Sequence, residues 1–178
     1  MTRAVFLDRD GVLNQAFVKN GKPLSPDTIE EMIIVPDAAS ALNRLRQQGF
    51  RLIVATNQPD IKRGRLTRGQ VDAMNAHLRS NLPLDAVEVC VHDDADNCDC
   101  RKPKPGLLLR AATRDGVALD ESFMVGDRYR DIEAGYSAGC RTILIGGGYG
   151  ETFKAQPDAT FDTLTEAADW IIKQPVKA

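Results

Sequence analysis

Residues 4–12 of the chain read AVFLDRDGV, and they decide the expectation for the fold. An apolar run of strand length leads directly into two acids, Asp8 and Asp10, which are separated by one residue. The run is too short for a helix and lacks polar alternation, as is typical of a strand that is covered on both faces. The stretch therefore predicts a buried strand that ends at a pair of carboxylates.

The same kind of apolar run recurs along the chain, separated by helical patterns. Strands are predicted at 4–7, 51–55, 86–91, 122–125 and 142–145, and helices at about 37–48, 67–82, 106–115, 131–138 and 164–173. Gly49, Gly116 and Gly139 stand where helix C-terminal caps belong. This alternation predicts an α/β fold with a Rossmann-like, three-layer, doubly wound parallel sheet. Residues 14–36 contain one Gly and three Pro residues and are expected to form an irregular excursion over the strand ends.

Composition narrows the class of protein. The 178 residues, 43% of them apolar, suit a single domain spanning 1–178. Lys and Arg total 23 against 25 Asp and Glu, so the net charge of -2 offers no field for holding nucleic acid. The first apolar run meets Asp8 too early for a signal peptide or a membrane span. We therefore expect a cytoplasmic monomer that acts on a small metabolite, with no nucleic-acid or membrane partner.

The acids after the first strand suggest phosphoryl transfer. Ligands of parallel sheets bind beyond the carboxyl ends of the strands, which is where Asp8 and Asp10 are predicted to lie. One carboxylate can attack phosphorus, and a second can protonate the leaving group and then activate water. Asp8 is thus the candidate nucleophile and Asp10 the candidate acid and base. The alternative is a solvated turn with two ordinary acids.

Two later strand ends offer phosphate ligands. Thr56 and Asn57 follow the second strand and can donate hydrogen bonds to phosphate oxygens. Lys102, in a Pro-stiffened basic segment before the helix predicted at 106–115, is the preferred phosphate clamp. An exposed surface charge run is the ordinary alternative for these basic residues.

A further acid pair follows the fourth strand. Asp127, the Asp8 carboxylate and a backbone carbonyl from Asp10 would supply hard oxygen ligands for Mg²⁺. Asp131 is either a residue of this metal site or a helix N-cap, and both roles are compatible.

Three of the four cysteines crowd into residues 90–100, where they indicate a second metal. Cys90-x-His92 and Cys98-x-Cys100 form a ligand set suited to closed, tetrahedral, structural zinc. The alternative is one buried Cys90 with two exposed thiols. Zinc would order a loop with little apolar content and place the following basic residues at the active site.

These motifs, in this order, resemble those of haloacid dehalogenase (HAD) superfamily phosphatases over nearly the whole chain. The motifs are Asp8-Arg9-Asp10-Gly11-Val12, Thr56-Asn57-Gln58, Lys102 and Gly126-Asp127. The resemblance implies the roles of nucleophile for Asp8, general acid/base for Asp10, phosphate ligands for Thr56 and Asn57, charge stabiliser for Lys102 and magnesium ligand for Asp127. An acid at position 10 resembles the phosphatase branch rather than the dehalogenases.

The cysteine and histidine loop is similar to that of one subgroup, the D-glycero-D-manno-heptose 1,7-bisphosphate 7-phosphatases with their histidinol-phosphatase relatives, which lack a large cap domain. The resemblance implies zinc on Cys90, His92, Cys98 and Cys100. It also implies contacts from Arg101 and Arg128 to the sugar or its second phosphate. Pro59-Asp60 departs from the Ser-Gly expected there. Histidinol phosphate, a broad range of sugar phosphates, and an inactive zinc-stabilised binding module are the alternatives.

Overall fold

A six-stranded parallel sheet forms the centre of the structure, a computed structural model that describes residues 2–19 and 21–175. In chain order the elements are β1 (Ala4–Leu7), β2 (Phe17–Lys19), β3 (Lys22–Leu24), α1 (Ala38–Gln47), β4 (Arg51–Asn57), α2 (Arg68–Asn81), β5 (Ala86–Cys90), α3 (Gly106–Asp115), β6 (Phe123–Gly126), α4 (Tyr129–Ala138), β7 (Arg141–Ile145), β8 (Ala159–Phe161) and α5 (Leu164–Ile172). The predicted doubly wound α/β fold is confirmed.

The strand order brings the predicted site residues together. The sheet runs β5-β4-β1-β6-β7-β8, so the chain winds outward from β1 in one direction and then from β6 in the other. Leu7, the last residue of β1, is in register with Val54 of β4 and Val125 of β6. The carboxyl ends of these three strands therefore lie side by side at the topological switch point, where ligands of such sheets bind.

Both faces of the sheet are covered, which explains the continuous apolar strands. Val5 and Leu7 pack in one core with α1, α2 and α5. Ala4 and Phe6, which alternate with them along β1, pack in a second core with α3. The alternation of side chains along a strand thus feeds two cores from one buried stretch.

Most helix boundaries lie within one residue of the sequence prediction, and one differs by two residues. Thr67 begins α2 with a capping box to Gln70. The fourth helix begins at Tyr129 rather than at Asp131. Asp131 still caps it, because its Oδ2 accepts the backbone N–H of Arg128 at 3.1 Å from the third helical position.

The segment 14–36 contains a short antiparallel hairpin, in which β2 pairs with β3. Each of its strands, like β8, has only three residues, too few for a hydrophobic period to reveal. Among the described residues, the hairpin is the largest element outside the three layers. Pro23, Leu24 and Ser25 at its end line the cavity described below.

None of the helices in the described part of the chain has the length and apolar character needed to cross a membrane.

Candidate active site

The carboxyl ends of β1, β4 and β6 open into one cavity of about 360 Å³. Its walls include the following residues that the sequence singled out: Asp8, Asp10, Thr56, Asn57, Arg101, Lys102, Arg128 and Asp131. The volume is within the range of small-molecule sites, roughly 300–1,000 Å³. The structure thus brings these strand-end residues together around one cleft, as the sequence predicts.

Lys102 lies at the base of this cavity as a buried cation. Its Nζ donates to Asp8 Oδ1 at 2.8 Å, to Asp131 Oδ1 at 2.5 Å and to the carbonyl oxygen of Ala55 at 2.6 Å. Burial lowers the pKa of Lys102, but the charges of Asp131 and Asp8 outweigh burial and raise it above its usual range. Lys102 is therefore charged and beside the predicted nucleophile.

Asp8 and Asp131 contact Lys102, and a third acid, Asp127, lies beside them. Asp8, Asp127 and Asp131 each place one carboxylate oxygen within 4.8 Å of the others. Burial, then repulsion from Asp131, raises the pKa of Asp8 to about 7, and burial with repulsion from Asp8 raises that of Asp127 well above its usual range. The buried Oδ1 of Asp127 has no hydrogen-bond partner. Crowded hard oxygen donors with an open acceptor fit Mg²⁺, which would relieve the repulsion.

Asp10 sits in a different electrostatic environment. Its two oxygens accept from Arg9 at 3.1 and 3.0 Å, from Asn14 at 2.9 Å, from Ser25 at 2.8 Å and from Gln58 at 2.9 Å. Burial raises the pKa of Asp10, but the Arg9 charge and these hydrogen bonds outweigh it and lower the pKa. Two acids separated by one residue thus have pKa values moved in opposite directions: in the absence of substrate and metal, Asp10 is the more readily ionised of the two.

Thr56 and Asn57 lie at the end of β4 beside the cavity. The Thr56 hydroxyl oxygen accepts from Gln58 Nε2 at 2.9 Å, which leaves its own hydrogen to donate. The Asn57 amide donates to the Lys102 carbonyl at 3.0 Å and accepts the Lys102 N–H at 3.1 Å. Asn57 therefore anchors the backbone of Lys102, a contact that sequence reasoning did not find, and one of its two amide hydrogens is used in doing so.

The four side chains of the cysteine and histidine loop lie close enough together to hold one metal ion. The Cys98 sulfur lies 3.7 Å from the Cys90 sulfur and 3.4 Å from the Cys100 sulfur, and the Cys90 and Cys100 sulfurs are 3.2 Å apart. His92 Nδ1 lies 3.7 Å from the Cys90 sulfur and 3.4 Å from the Cys100 sulfur. All four cysteines of the chain are free thiols. Ligands around tetrahedral zinc, with Zn–S bonds of about 2.3 Å, stand roughly 3.8 Å apart. The four side chains fit zinc.

Comparison with known proteins agrees with this geometry. A family model described as HAD-hydrolase-like matches residues 99–167. A protein of Pseudomonas aeruginosa named D-glycero-beta-D-manno-heptose-1,7-bisphosphate 7-phosphatase is 36% identical to this chain. The alignment covers 97% of this chain and 100% of the relative. This chain belongs to the HAD-like hydrolases.

Further relatives of this HAD-like hydrolase carry the same name. The Pseudomonas putida protein is 35% identical over 96% of this chain and 99% of its own length. A crystal structure of D,D-heptose 1,7-bisphosphate phosphatase from B. bronchiseptica, complexed with magnesium and phosphate, matches with a TM-score of 0.83 and 29% identity. It covers 97% of this chain and 99% of that chain. The resemblance found in the sequence is confirmed, and the relatives are phosphatases.

Arginines form the rim of the cavity in this HAD-like hydrolase. Arg101 donates to Asp94 Oδ1 at 2.7 Å, and Arg130 contacts both oxygens of the same carboxylate at 3.0 and 3.2 Å. Arg128 pairs with Glu151, with Nε 3.0 Å from Oε1. Sequence reasoning missed Arg130, although it lies in the same strand-end segment as Arg128. The rim can thus offer several cations to an anionic substrate.

Pro59 and Asp60, which stand where Ser-Gly was expected, also line the cavity. The Asp60 carboxylate lies 2.9 Å from Arg65 and 3.7 Å from Arg63, so it is paired with cations. Arg63 in turn contacts both oxygens of Asp93 in the cysteine loop, at 2.6 and 2.8 Å. The 59–65 segment and the candidate zinc loop are therefore tied together at the edge of the site.

Proposed function

We propose that this chain is a magnesium-dependent phosphatase that removes the 7-phosphate of D-glycero-D-manno-heptose 1,7-bisphosphate through an aspartyl phosphate on Asp8. The substrate class follows the names of the relatives, which span nearly the full length of the chain. The observation that carries the chemistry is the buried cluster in which Lys102 bridges Asp8 and Asp131 beside Asp127. Phosphoryl transfer depends on positioning and charge neutralisation, and this cluster offers both.

In the first half of the reaction, an oxygen of Asp8 attacks phosphorus while the bond from phosphorus to the sugar oxygen breaks. Lys102 stabilises the charge on the transferring group, and Thr56 and Asn57 hold its oxygens. Asp10 gives a proton to the departing sugar oxygen. For that step Asp10 must first be protonated, which the arriving negative charge of the phosphate favours, whereas Arg9 favours the ionised form.

In the second half, Asp10 acts as the base. Its carboxylate, already surrounded by donors that favour ionisation, takes a proton from water. The water oxygen attacks phosphorus, and the bond between phosphorus and Asp8 breaks. Phosphate leaves, the Asp8 carboxylate is restored, and Asp10 again carries the proton with which the first half began.

The magnesium site would consist of Asp8, Asp127 and a main-chain carbonyl of Asp10. Asp131 lies close enough to complete its surroundings while it also caps α4. When bound, Mg²⁺ supplies positive charge that lets the phosphate dianion approach Asp8. Together with Lys102 it balances the acids that otherwise repel one another.

The zinc site would be structural, with Cys90, His92, Cys98 and Cys100 as its four ligands. Its loop leads directly into Arg101, whose Nη1 donates to the His92 carbonyl at 3.2 Å. Ordering of the loop therefore positions the cations at one side of the cavity. Arg101 and Arg128, both on the cavity wall, are our candidates for the sugar or its second phosphate. We also propose that the protein acts in carbohydrate metabolism and is a cytoplasmic monomer.

The test is turnover with heptose 1,7-bisphosphate, histidinol phosphate and a panel of sugar monophosphates at fixed Mg²⁺, ranked by kcat/KM. We expect the heptose bisphosphate to rank first, phosphate release to require Mg²⁺, and Asp8→Asn to be inactive but folded. Preference for histidinol phosphate would overturn the substrate assignment. If Mg²⁺ stimulates hydrolysis of none of these esters, nor of an aryl phosphate, the proposed phosphatase activity is wrong and the inactive binding module is favoured.

A further inference from the structure

The two oxygens of Asp127 are treated differently by their surroundings. Oδ2 accepts a hydrogen bond from the Tyr149 hydroxyl at 2.8 Å, whereas the buried Oδ1 has no partner. The Asp127 side chain is only 3% exposed, so water does not readily replace the missing donor. One oxygen is therefore fixed, and the other is an open acceptor within the acid cluster.

Tyr149 makes this contact from an unfavourable backbone conformation. Its φ and ψ are 53° and 26°, in the left-handed region, between Gly148 and Gly150, which also have positive φ. The other non-glycine residue with positive φ in the described part of the chain is Asn97, a residue type that tolerates it. Tyrosine does not, and an outlier of this kind points to a function for its side chain.

The surroundings close on Asp127 from two sides. A Cβ atom placed on Gly11 would lie 1.9 Å from Asp127 Oδ2, so the turn after β1 passes directly against the carboxylate. The loop that carries Tyr149 is itself held by Glu151, whose Oε1 accepts from Arg128 Nε at 3.0 Å. The carboxylate is thus confined between a glycine turn and a docked tyrosine.

We propose that Tyr149 is a positioning residue for Asp127, whose hydroxyl holds Oδ2 so that Oδ1 remains open to the magnesium ion. The inference rests on the proposed function, because it needs Asp127 as a metal ligand. Without the hydroxyl, the carboxylate can rotate and offer its open oxygen elsewhere, and the metal site must then be organised when the ion binds. Hydrogen-bond partners of metal ligands commonly contribute to metal affinity in this way.

The test compares Mg²⁺ dissociation constants of wild type, Tyr149→Phe and Tyr136→Phe by isothermal titration calorimetry. Tyr136 is 69% exposed on α4 and serves as the matched control. We expect Tyr149→Phe to weaken Mg²⁺ binding by about 10-fold to 100-fold, the range seen on loss of such partners. Tyr136→Phe should leave the constant within about twofold of wild type. At saturating Mg²⁺, kcat of the Tyr149→Phe protein should return close to the wild-type value.

A second variant separates the hydroxyl from the backbone. Tyr149→Asn suits the left-handed conformation, but its shorter side chain falls short of Asp127, so Mg²⁺ should bind as weakly as in Tyr149→Phe. Unchanged Mg²⁺ affinity in both variants would overturn the inference and leave the proposed function standing. A kcat of Tyr149→Phe that stays low at every Mg²⁺ concentration would also overturn the inference, since it indicates a general structural role. A wild-type protein that binds no Mg²⁺ would instead overturn the proposed function itself.

Discussion

Replacement of Lys102 by methionine should strongly destabilise the protein and nearly abolish its activity. Methionine keeps most of the apolar stem but removes the ammonium that contacts Asp8 and Asp131. Both acids are buried, at 9% and 1% exposure, and they would then face each other without a cation. Breaking a buried ion pair by removing one partner costs about 3–5 kcal/mol of folding free energy.

That loss corresponds to a fall in Tm of roughly 6–20 °C for a chain of this size, at roughly 2–4 °C per kcal/mol. This fall in Tm should be largest at high pH in the protein without bound Mg²⁺. The folded pKa of Asp8 is about 7 against an ordinary 3.8, so its contribution to stability is present below 3.8 and lost as pH rises through 7. Loss of Lys102 raises that folded pKa further, and Lys102→Met should therefore be more destabilised at pH 8 than at pH 5.

The assay is thermal unfolding without and with added Mg²⁺, together with phosphate release. The matched control is Lys104→Met, two residues away, where the lysine is 42% exposed and lies 3.7 Å from Asp99. An exposed pair of that kind is worth at most about 1 kcal/mol. The Lys102 variant should also lose about 10²–10³-fold in kcat. Equal stability of the two variants at pH 8 without Mg²⁺ would refute the reasoning.

Two substitutions and one binding measurement test the two metal sites. Gly11→Ala adds a Cβ 1.9 Å from Asp127 Oδ2 at φ 90°, so it should cost about 2 kcal/mol or more and weaken Mg²⁺ binding; wild-type values in unfolding and calorimetry would contradict this. Because the pKa of Asp8 is about 7, Mg²⁺ binding at pH 7 should release about half a proton or more, measured as different heats in two buffers; identical heats would count against it. Cys98→Ser should lose zinc and several kcal/mol of stability; a full equivalent of zinc by metal analysis would show that Cys98 is not a ligand.

The central strands and the site could be predicted because both depend on patterns that are local in sequence. Strands such as β1 and β4 are buried on both faces and therefore read as apolar runs ending at polar residues. Parallel topology then brings those ends together without any knowledge of side-chain contacts. The ligand spacing of the cysteine loop is similarly local.

The features that sequence reasoning missed depend on contacts between distant segments. Tyr149 lies in a glycine-rich stretch that reads as an ordinary loop, and only the fold places its hydroxyl on Asp127. Arg9 reads as a spacer between two acids, yet it is fully buried and reaches Asn75 of α2 at 3.2 Å. Arg130 could have been suspected from its position beside Arg128, but its pairing with Asp94 follows from tertiary packing alone.

Covalent capture of the intermediate tests the account most directly. Asp10→Asn protein, in which hydrolysis of the acyl phosphate should be slowed, is mixed with Mg²⁺ and an aryl phosphate, whose leaving group departs without the proton that Asp10 gives to a sugar oxygen. The mixture is quenched in acid and examined by peptide mass analysis. We predict one phosphoryl group on the peptide that contains Asp8, removable by hydroxylamine. Phosphate release from the wild-type protein with no adduct on that peptide, or an adduct on another residue, would contradict the claim that Asp8 is the nucleophile.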